Sequence, residues 1–264
     1  MPKPSRPPVA LTIAGSDPSG GAGQEADLKA FLRHGVYGLN LTTLLTVQNT
    51  LGVRAVRTLD PAFLERQWKA LFADTRPDVI KLGALGALPM AKRVIKLLNT
   101  REAGGIPVVF DPVLGSTSGS PLLDPKALAL LRRELLPRSR VVTPNLPEFD
   151  TLFGPFPAAM SPPERLRSLG KLPYAILLKG GHAGGKVSDD WLWENGKLTT
   201  LKGARIPVGN VHGTGCTLAS AIAANLAKGK SLAASCRIAK AFVARGIARA
   251  PSLGKGYGPM DFMG

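Results

Sequence analysis

Cys216 stands where a glycine turn, Gly213-Thr214-Gly215, gives way to a run of Ala, Leu and Ile at helical spacing. The stretch reads NVHGTGCTLASAIAANLAKG, residues 210–229. A turn that opens directly onto a helix presents backbone N–H groups without intrahelical acceptors, and the positive end of the helix dipole. Two readings are open. The turn can be a plain helix start with a small buried thiol. It can also be an anion hole, whose N–H donors offset charge developing on a phosphoryl group in transfer. In that second reading the helix N-terminus draws the Cys216 pKa from about 8.5 toward neutrality. Its thiolate then takes a proton from an attacking hydroxyl as general base.

A second group of polar residues follows apolar runs farther along the chain. NLPE sets Asn145 and Glu148 three residues apart at the start of a helix. They could serve as a helix cap with an acidic first turn, or hold a magnesium–water cluster beside nucleotide phosphates. Asp111, in VVFDPV, could join the same cluster, although Asp-Pro is also an ordinary turn signal. Lys179, ending AILLKGG, can reach a phosphate as a point charge. The loop SDPSGGAG is glycine-rich, but no Lys-Ser/Thr pair closes it and it has no G-x-G-x-x-G spacing. It suits the wall of a substrate pocket, closed over by the next helix.

The elements that must carry these residues alternate from one end of the chain to the other. VALTIAG (9–15), LNLTTLLTV (39–47), DVIKLG (78–83), IPVVFDPV (106–113), RVVT (140–143) and YAILLKGG (174–181) read as strands. Helical periodicity separates them, from about Gln24 to His34, over 62–74 after Pro61, in MAKRVIKLLNT, and in PKALALLRREL. Continuous apolar strands with intervening helices predict an α/β protein, a three-layer α/β/α sandwich around a mostly parallel sheet. Around DDWLWENGKLTTL, with Asn195-Gly196 as the turn, the pattern becomes an antiparallel hairpin at one edge. Ligands of such sheets sit beyond the carboxyl ends of the strands, where the polar motifs fall.

Composition sets the outer bounds. The 264 residues, 44% hydrophobic and 20% charged, suit one soluble domain over residues 9–264. The proline-rich basic opening, residues 1–8, reads as a disordered leader. No apolar run approaches the roughly 18–20 residues of a membrane span, so no membrane partner is expected. Two cysteines, Cys216 and Cys236, are too few for a disulfide framework and fit a reducing cytoplasm; Cys236 lies in an apolar helical run. The net charge of +16 raises nucleic acid as a partner. The 34 basic residues are spread along the chain, however, and the 6% of aromatics do not interleave with them. A stacking platform is therefore not evident, and a basic surface that attracts phosphorylated small molecules is the better reading.

Taken together and in order, AGSDPSGGAGQEADLKAF, TVQNTLGV, KLGAL, DPVLGSTSG, TPNLPE, LLKGGH and NVHGTGCTL resemble the hydroxymethylpyrimidine/phosphomethylpyrimidine kinases of thiamine biosynthesis. The resemblance covers about residues 9 to 250 and implies a ribokinase-like fold. It implies that ATP, with Mg2+, phosphorylates 4-amino-5-hydroxymethyl-2-methylpyrimidine and then its monophosphate; pyridoxal or pyridoxine is the alternative acceptor. By the same resemblance Cys216 is the catalytic base, and Gly213, Thr214 and Gly215 are the anion hole. Gln48, Gly15 and Asp27 contact the pyrimidine, Asn145 and Lys179 the nucleotide, and Asp111 and Glu148 the metal. A homodimer is implied as well. Two departures stand out: Ala84 replaces a common Met, and the flap GSTSGSP (115–121) lacks the lysine of some members. Hydroxyls hold a phosphate without offsetting its charge, so the second phosphorylation is expected to be slower than the first.

Overall fold

The computed structural model describes residues 6–115, 122–182, 187–207 and 211–264. Its first half runs β1 (Val9–Ser16), α1 (Gly23–Arg33), β2 (Tyr37–Asn49), β3 (Gly52–Thr58), α2 (Pro61–Asp74), β4 (Val79–Leu82), α3 (Leu88–Leu98) and β5 (Val108–Phe110). Helical turns over 125–138 include α4 (Leu128–Leu130) and α5 (Leu136–Arg138). Then come β6 (Val141–Val142), α6 (Leu146–Phe153), α7 (Pro162–Ser168), β7 (Ala175–Leu178), β8 (Asp190–Glu194) and β9 (Lys197–Leu201). The chain closes with β10 (Val211–His212), α8 (Thr214–Ala227), α9 (Leu232–Ala248) and β11 (Gly258–Pro259).

Nine strands form one sheet in the order β3-β2-β1-β4-β5-β6-β7-β8-β9. The six from β2 to β7 are parallel. Side chains alternate between two apolar layers, as the pleat requires. Leu11, Ile13, Ile80, Leu82, Val108 and Phe110 face α2, α3 and the 125–138 helices. Ala10, Val79, Val109, Val141 and Leu177 face α1, α8 and α9. This is the α/β/α sandwich that the sequence predicts. Helix ends follow local chemistry: Asp60 caps α2 through the Ala62 N–H ahead of Pro61, and Ser231 caps α9 through the Ala234 N–H.

Two expectations need correction. The sheet has antiparallel strands at both edges, because β3 pairs with β2 as well as β9 with β8. The sequence GVRAVRT conceals this strand, since residues 54–57 are all exposed and no apolar alternation marks it. The leader is tied down at its end: Arg6 pairs with Asp78 at 3.0 Å, and the Pro8 carbonyl accepts the Tyr37 N–H at 2.8 Å. Residues 1–5 of that leader lie outside the described residues. The Asn195-Gly196 turn is as expected, with φ of 53° and 79°, the left-handed pair of a tight hairpin.

β1 leads to β2 on one side and the chain returns to β4 on the other, so the sheet order reverses between β1 and β4. One buried ion pair sits beneath that point. Lys81 of β4 bonds both Asp27 oxygens, at 2.9 and 2.8 Å, with neither side chain exposed. Thr12 of β1 and Ser220 of α8 each donate to Asp27 at 2.6 Å. Burial opposes both charges, but the contact with Asp27 outweighs it for Lys81 and raises that ammonium above its usual range. Four donated hydrogen bonds identify Asp27 as the carboxylate. Asp27→Ala strands Lys81 without its counterion and should cost about 3–5 kcal/mol in urea unfolding. Adding Lys81→Met should recover much of that loss; a double variant no more stable than Asp27→Ala would show that the pairing is not what the fold relies on.

Candidate active site

A cleft of about 1070 Å³ runs along the carboxyl edge of the parallel strands. Gly15 and Ser16 end β1 and Asp17 follows it, Gly83 and Ala84 follow β4, Asp111 follows β5, Asn145 follows β6 and Lys179 follows β7; all line it. The first turn of α8 crosses its middle, bringing Gly213, Thr214, Gly215 and Cys216 to its surface. Gly213 is the N-cap, in the left-handed conformation at φ 78° and without a side-chain cap. A Cβ there would run into the Gly21 carbonyl, so both conformation and space demand glycine. The N–H groups of Thr214, Gly215 and Cys216, the first three helical residues, have no intrahelical acceptor. A Cβ on Gly215 would lie 3.1 Å from Lys179 Nζ, which explains the second glycine.

Lys179 is the charge in front of that turn. It bonds Asp111 Oδ1 at 2.9 Å and approaches Glu148 Oε2 at 3.7 Å. Burial would lower its pKa, but the two carboxylates outweigh it and push it above the usual lysine range. Asp111 moves the other way: burial raises it, and Lys179 with Lys81 more than compensates, so it is lowered. Glu148 is raised, by burial first and then by Asp111, against the pull of Lys179. Asn145 and Glu148 form a capping box, the Asn145 Oδ1 accepting the Glu148 N–H at 2.9 Å and Glu148 Oε2 accepting the Asn145 N–H at 2.7 Å. Both still line the cleft, so the cap and the cleft wall are the same residues.

Cys216 corrects an expectation. Its thiol is not drawn down by the helix; burial pushes it up to about 12, with Lys81 lowering it and Asp111 and Asp27 raising it. The Gly23 N–H at the start of α1 also points at its sulfur. The dipole argument omitted the cost of placing a second negative charge beside Asp111 and Asp27 in a dry setting. Asp27 is the second correction: it lies beneath the cleft floor, wholly buried among Lys81, Thr12 and Ser220, and does not line the cleft. Lys81, itself buried, lines the cleft in its place and was missed in the sequence, although a lone lysine inside the buried strand VIKL is a signal.

At the β1–β2 end, Gln48 lines the cleft beside His212 and Asp17. Gly15 sits there against Leu44, whose Cδ1 would lie 2.6 Å from a Cβ at that position. Asp17 accepts the Ser19 N–H and Oγ at 2.9 and 2.7 Å and the Ala22 N–H at 2.9 Å, and lies 3.1 Å from His212 Nε2. Burial alone would raise its carboxyl, but the bonds from His212, Ser19 and Ala22 hold it at about 2. The opposite end, at β7 to β9 and α9, is basic: Lys202, Arg205, Arg237 and Lys240 line it. Lys240 is paired with Asp190 at 2.7 Å and with the Ser188 carbonyl at 2.6 Å. None of these flanking groups was singled out from sequence, since their neighbours come from distant segments. Cys236, by contrast, is buried in α9 as its apolar run implies. Residues 116–121 of the flap lie outside the described residues.

The comparisons agree with this geometry. The chain matches the phosphomethylpyrimidine kinase family model over residues 17–261. It is 41% identical over 257 residues to a hydroxymethylpyrimidine/phosphomethylpyrimidine kinase of Escherichia coli K12, covering 95% of this chain and 96% of that one. A protein of the same name from Staphylococcus aureus Mu50 is 37% identical over 263 residues, 97% of this chain and 94% of that one. Among solved structures, a Staphylococcus aureus pyridoxal kinase in complex with ADP superposes with a TM-score of 0.86 at 31% identity, covering 98% and 94% of the two chains. A Clostridium difficile phosphomethylpyrimidine kinase gives 0.76 at 33% identity, covering 90% and 98%.

Asp17 generates a prediction. A carboxyl held at about 2, below its ordinary 3.8, stabilises the fold fully above 3.8, and that contribution is lost as pH falls toward 2. Asp17→Asn should therefore unfold more easily than the parent at neutral pH in denaturant, with the gap closing across that acid window. A gap of constant size down to the lower limit would place the effect elsewhere.

Proposed function

Because the chain belongs to the phosphomethylpyrimidine kinase family and has its ribokinase-like fold, we propose that it moves the γ-phosphoryl group of ATP to the hydroxymethyl group of 4-amino-5-hydroxymethyl-2-methylpyrimidine. The monophosphate is then phosphorylated to the diphosphate used in thiamine biosynthesis. The observation that carries this reading is the uncapped N-terminus of α8 between the Gln48 end and the basic end of one cleft. A Staphylococcus aureus pyridoxal kinase that superposes on this chain was solved in complex with AMP-PCP and pyridoxal, a nucleotide and a ring together.

The ring lies by Gln48 and Gly15, and the nucleotide by Lys240, Arg205, Lys179 and Asn145. The hydroxyl oxygen attacks the γ-phosphorus, the bond to the bridging oxygen breaks, and ADP leaves; the hydroxyl proton passes to the Sγ of a Cys216 that has already lost its own proton to solvent, regenerating the thiol. The N–H groups of Thr214, Gly215 and Cys216 hold the equatorial oxygens, and Lys179 offsets their charge. Mg2+ would neutralise the triphosphate. Asp111 and Glu148 fit it as oxygen donors acting through water, since no cluster of three acidic, His or Cys ligands occurs among the described residues. Lys179 between them keeps the two carboxylates from repelling one another.

Residues 9–264 act in this reading as one catalytic unit, in the cytoplasm, as a homodimer. No helix among the described residues is long and apolar enough to cross a membrane. A second reading, pyridoxal kinase, is favoured by the higher superposition with the Staphylococcus aureus pyridoxal kinase and by the small Ala84 at the ring end. Chromatography of products formed from ATP, Mg2+ and each acceptor in turn decides between them. Mono- and diphosphate from the pyrimidine are expected, and turnover of pyridoxal alone would overturn the leading assignment.

Cys216→Ala should keep its fold and nucleotide affinity and lose about 10²–10⁴-fold in kcat. With a thiol at about 12, the reactive thiolate grows tenfold per pH unit. The wild-type rate should therefore climb without a plateau through the neutral range, whereas Cys216→Asp, a far stronger acid in the same surroundings, should level off at lower pH. A wild-type plateau near neutrality would mean that bound substrates draw the thiol down.

A further inference from the structure

We propose that His212, held by Asp17, locks the Gln48 carboxamide with its oxygen toward the imidazole, so that the group Gln48 turns to the ring is an N–H donor. The site then selects a heteroaromatic ring by a hydrogen-bond acceptor on it, such as a ring nitrogen, rather than by an exocyclic amine. This rests on the kinase reading above and names what its ring end recognises.

The argument is one of donors and acceptors. His212 Nε2 lies 3.1 Å from Asp17 Oδ2 and 2.8 Å from the Gln48 side-chain nitrogen. Asp17 is a carboxylate and can only accept, so Nε2 must carry the hydrogen. A nitrogen that donates cannot face the amide nitrogen of Gln48, which also only donates. The oxygen and nitrogen of a carboxamide exchange places by a half-turn about its last bond. That turn sets the Gln48 oxygen against Nε2–H, which is shared between it and Asp17 Oδ2.

The same turn resolves the other side of the amide. Thr46 Oγ1 lies 3.2 Å from the remaining Gln48 polar atom and 3.0 Å from the Ser16 carbonyl. The carbonyl can only accept, so the Thr46 hydroxyl spends its hydrogen on Ser16 and accepts from Gln48. Each atom from Asp17 through His212, Gln48 and Thr46 to Ser16 then has one role. The chain is also braced at both ends. Asp17 is tied to Ser19 and Ala22 and its backbone N–H donates to Glu25 at 2.8 Å, while His212 is fixed in β10 against β11. The second amide hydrogen of Gln48 is left for the cleft that it lines.

The polarity is open to test by calorimetric binding without nucleotide. The ligands are 4-amino-5-hydroxymethyl-2-methylpyrimidine and the same ring without its 4-amino group. The ratio of the two Kd values is compared across wild type, Gln48→Glu and His212→Phe, so that the difference in ring basicity is common to all three. Gln48→Glu can only accept and must read the amine. Its ratio should favour the amino ligand about tenfold or more beyond the wild-type ratio, as one hydrogen bond to a buried partner implies. His212→Phe frees the amide to turn and should shift the ratio the same way, by a smaller factor. Circular dichroism checks that each variant is folded. One ratio shared by all three proteins would overturn the lock. If the wild type binds neither pyrimidine, the kinase reading itself falls and this assignment with it; binding with an unchanged ratio removes the lock alone.

Discussion

The Asp27–Lys81 pair is the constraint from which the cleft is built. It lies in an otherwise apolar layer between the sheet and α1 with α8, and it joins four elements through one carboxylate. Burying two opposite charges is costly, and apolar residues of similar volume stabilise a fold at least as well. What the pair supplies is orientation. Ser220, one helical turn beyond Cys216, is bound to Asp27, so the rotation of α8 about its axis is set from below. The direction of its first N–H groups follows from that rotation, as does the placing of Cys216 over Lys81.

Above this floor the cleft alternates in charge. Lys179 is engaged by Asp111 and Glu148, and Lys240 by Asp190. A triphosphate arriving here does not fill a row of waiting cations. It competes with carboxylates for them, and a divalent cation on the phosphates would compensate the displaced acids. Burial is the first reason that Cys216 rests as a thiol, and the same acids add to it: Asp111 and Asp27 resist a further negative charge, against the pull of Lys81.

Much of this was legible in the sequence. Continuous runs such as VALTIAG and AILL gave themselves away as buried strands because both faces are covered, and HGTGC marked a helix start that meets the cleft through glycine. Asn195-Gly196 encoded its own turn. What escaped notice depends on partners far apart in the chain. β3 has an exposed polar face and is defined by β2; His212 gains meaning only beside Gln48 and Asp17, 164 and 195 residues away. Asp27 was given to the substrate by the resemblance, yet its helix turns it inward to Lys81. For Cys216 the local effect was read correctly and the larger one, desolvation, could not be seen without neighbours.

The reversal of strand order between β1 and β4 divides the cleft by chain segment. The lining around Gln48, which in the proposed reading meets the ring, comes chiefly from the first 84 residues, joined by His212, while the lining proposed to handle phosphate comes from Asp111 onward. Only the α8 turn belongs to both halves. Change in one segment therefore need not retune the other: a duplicated copy can acquire a new acceptor by drift in its first third while inheriting the transfer machinery unaltered. Kinases for two different vitamin rings on one scaffold are what such a division of labour would leave behind.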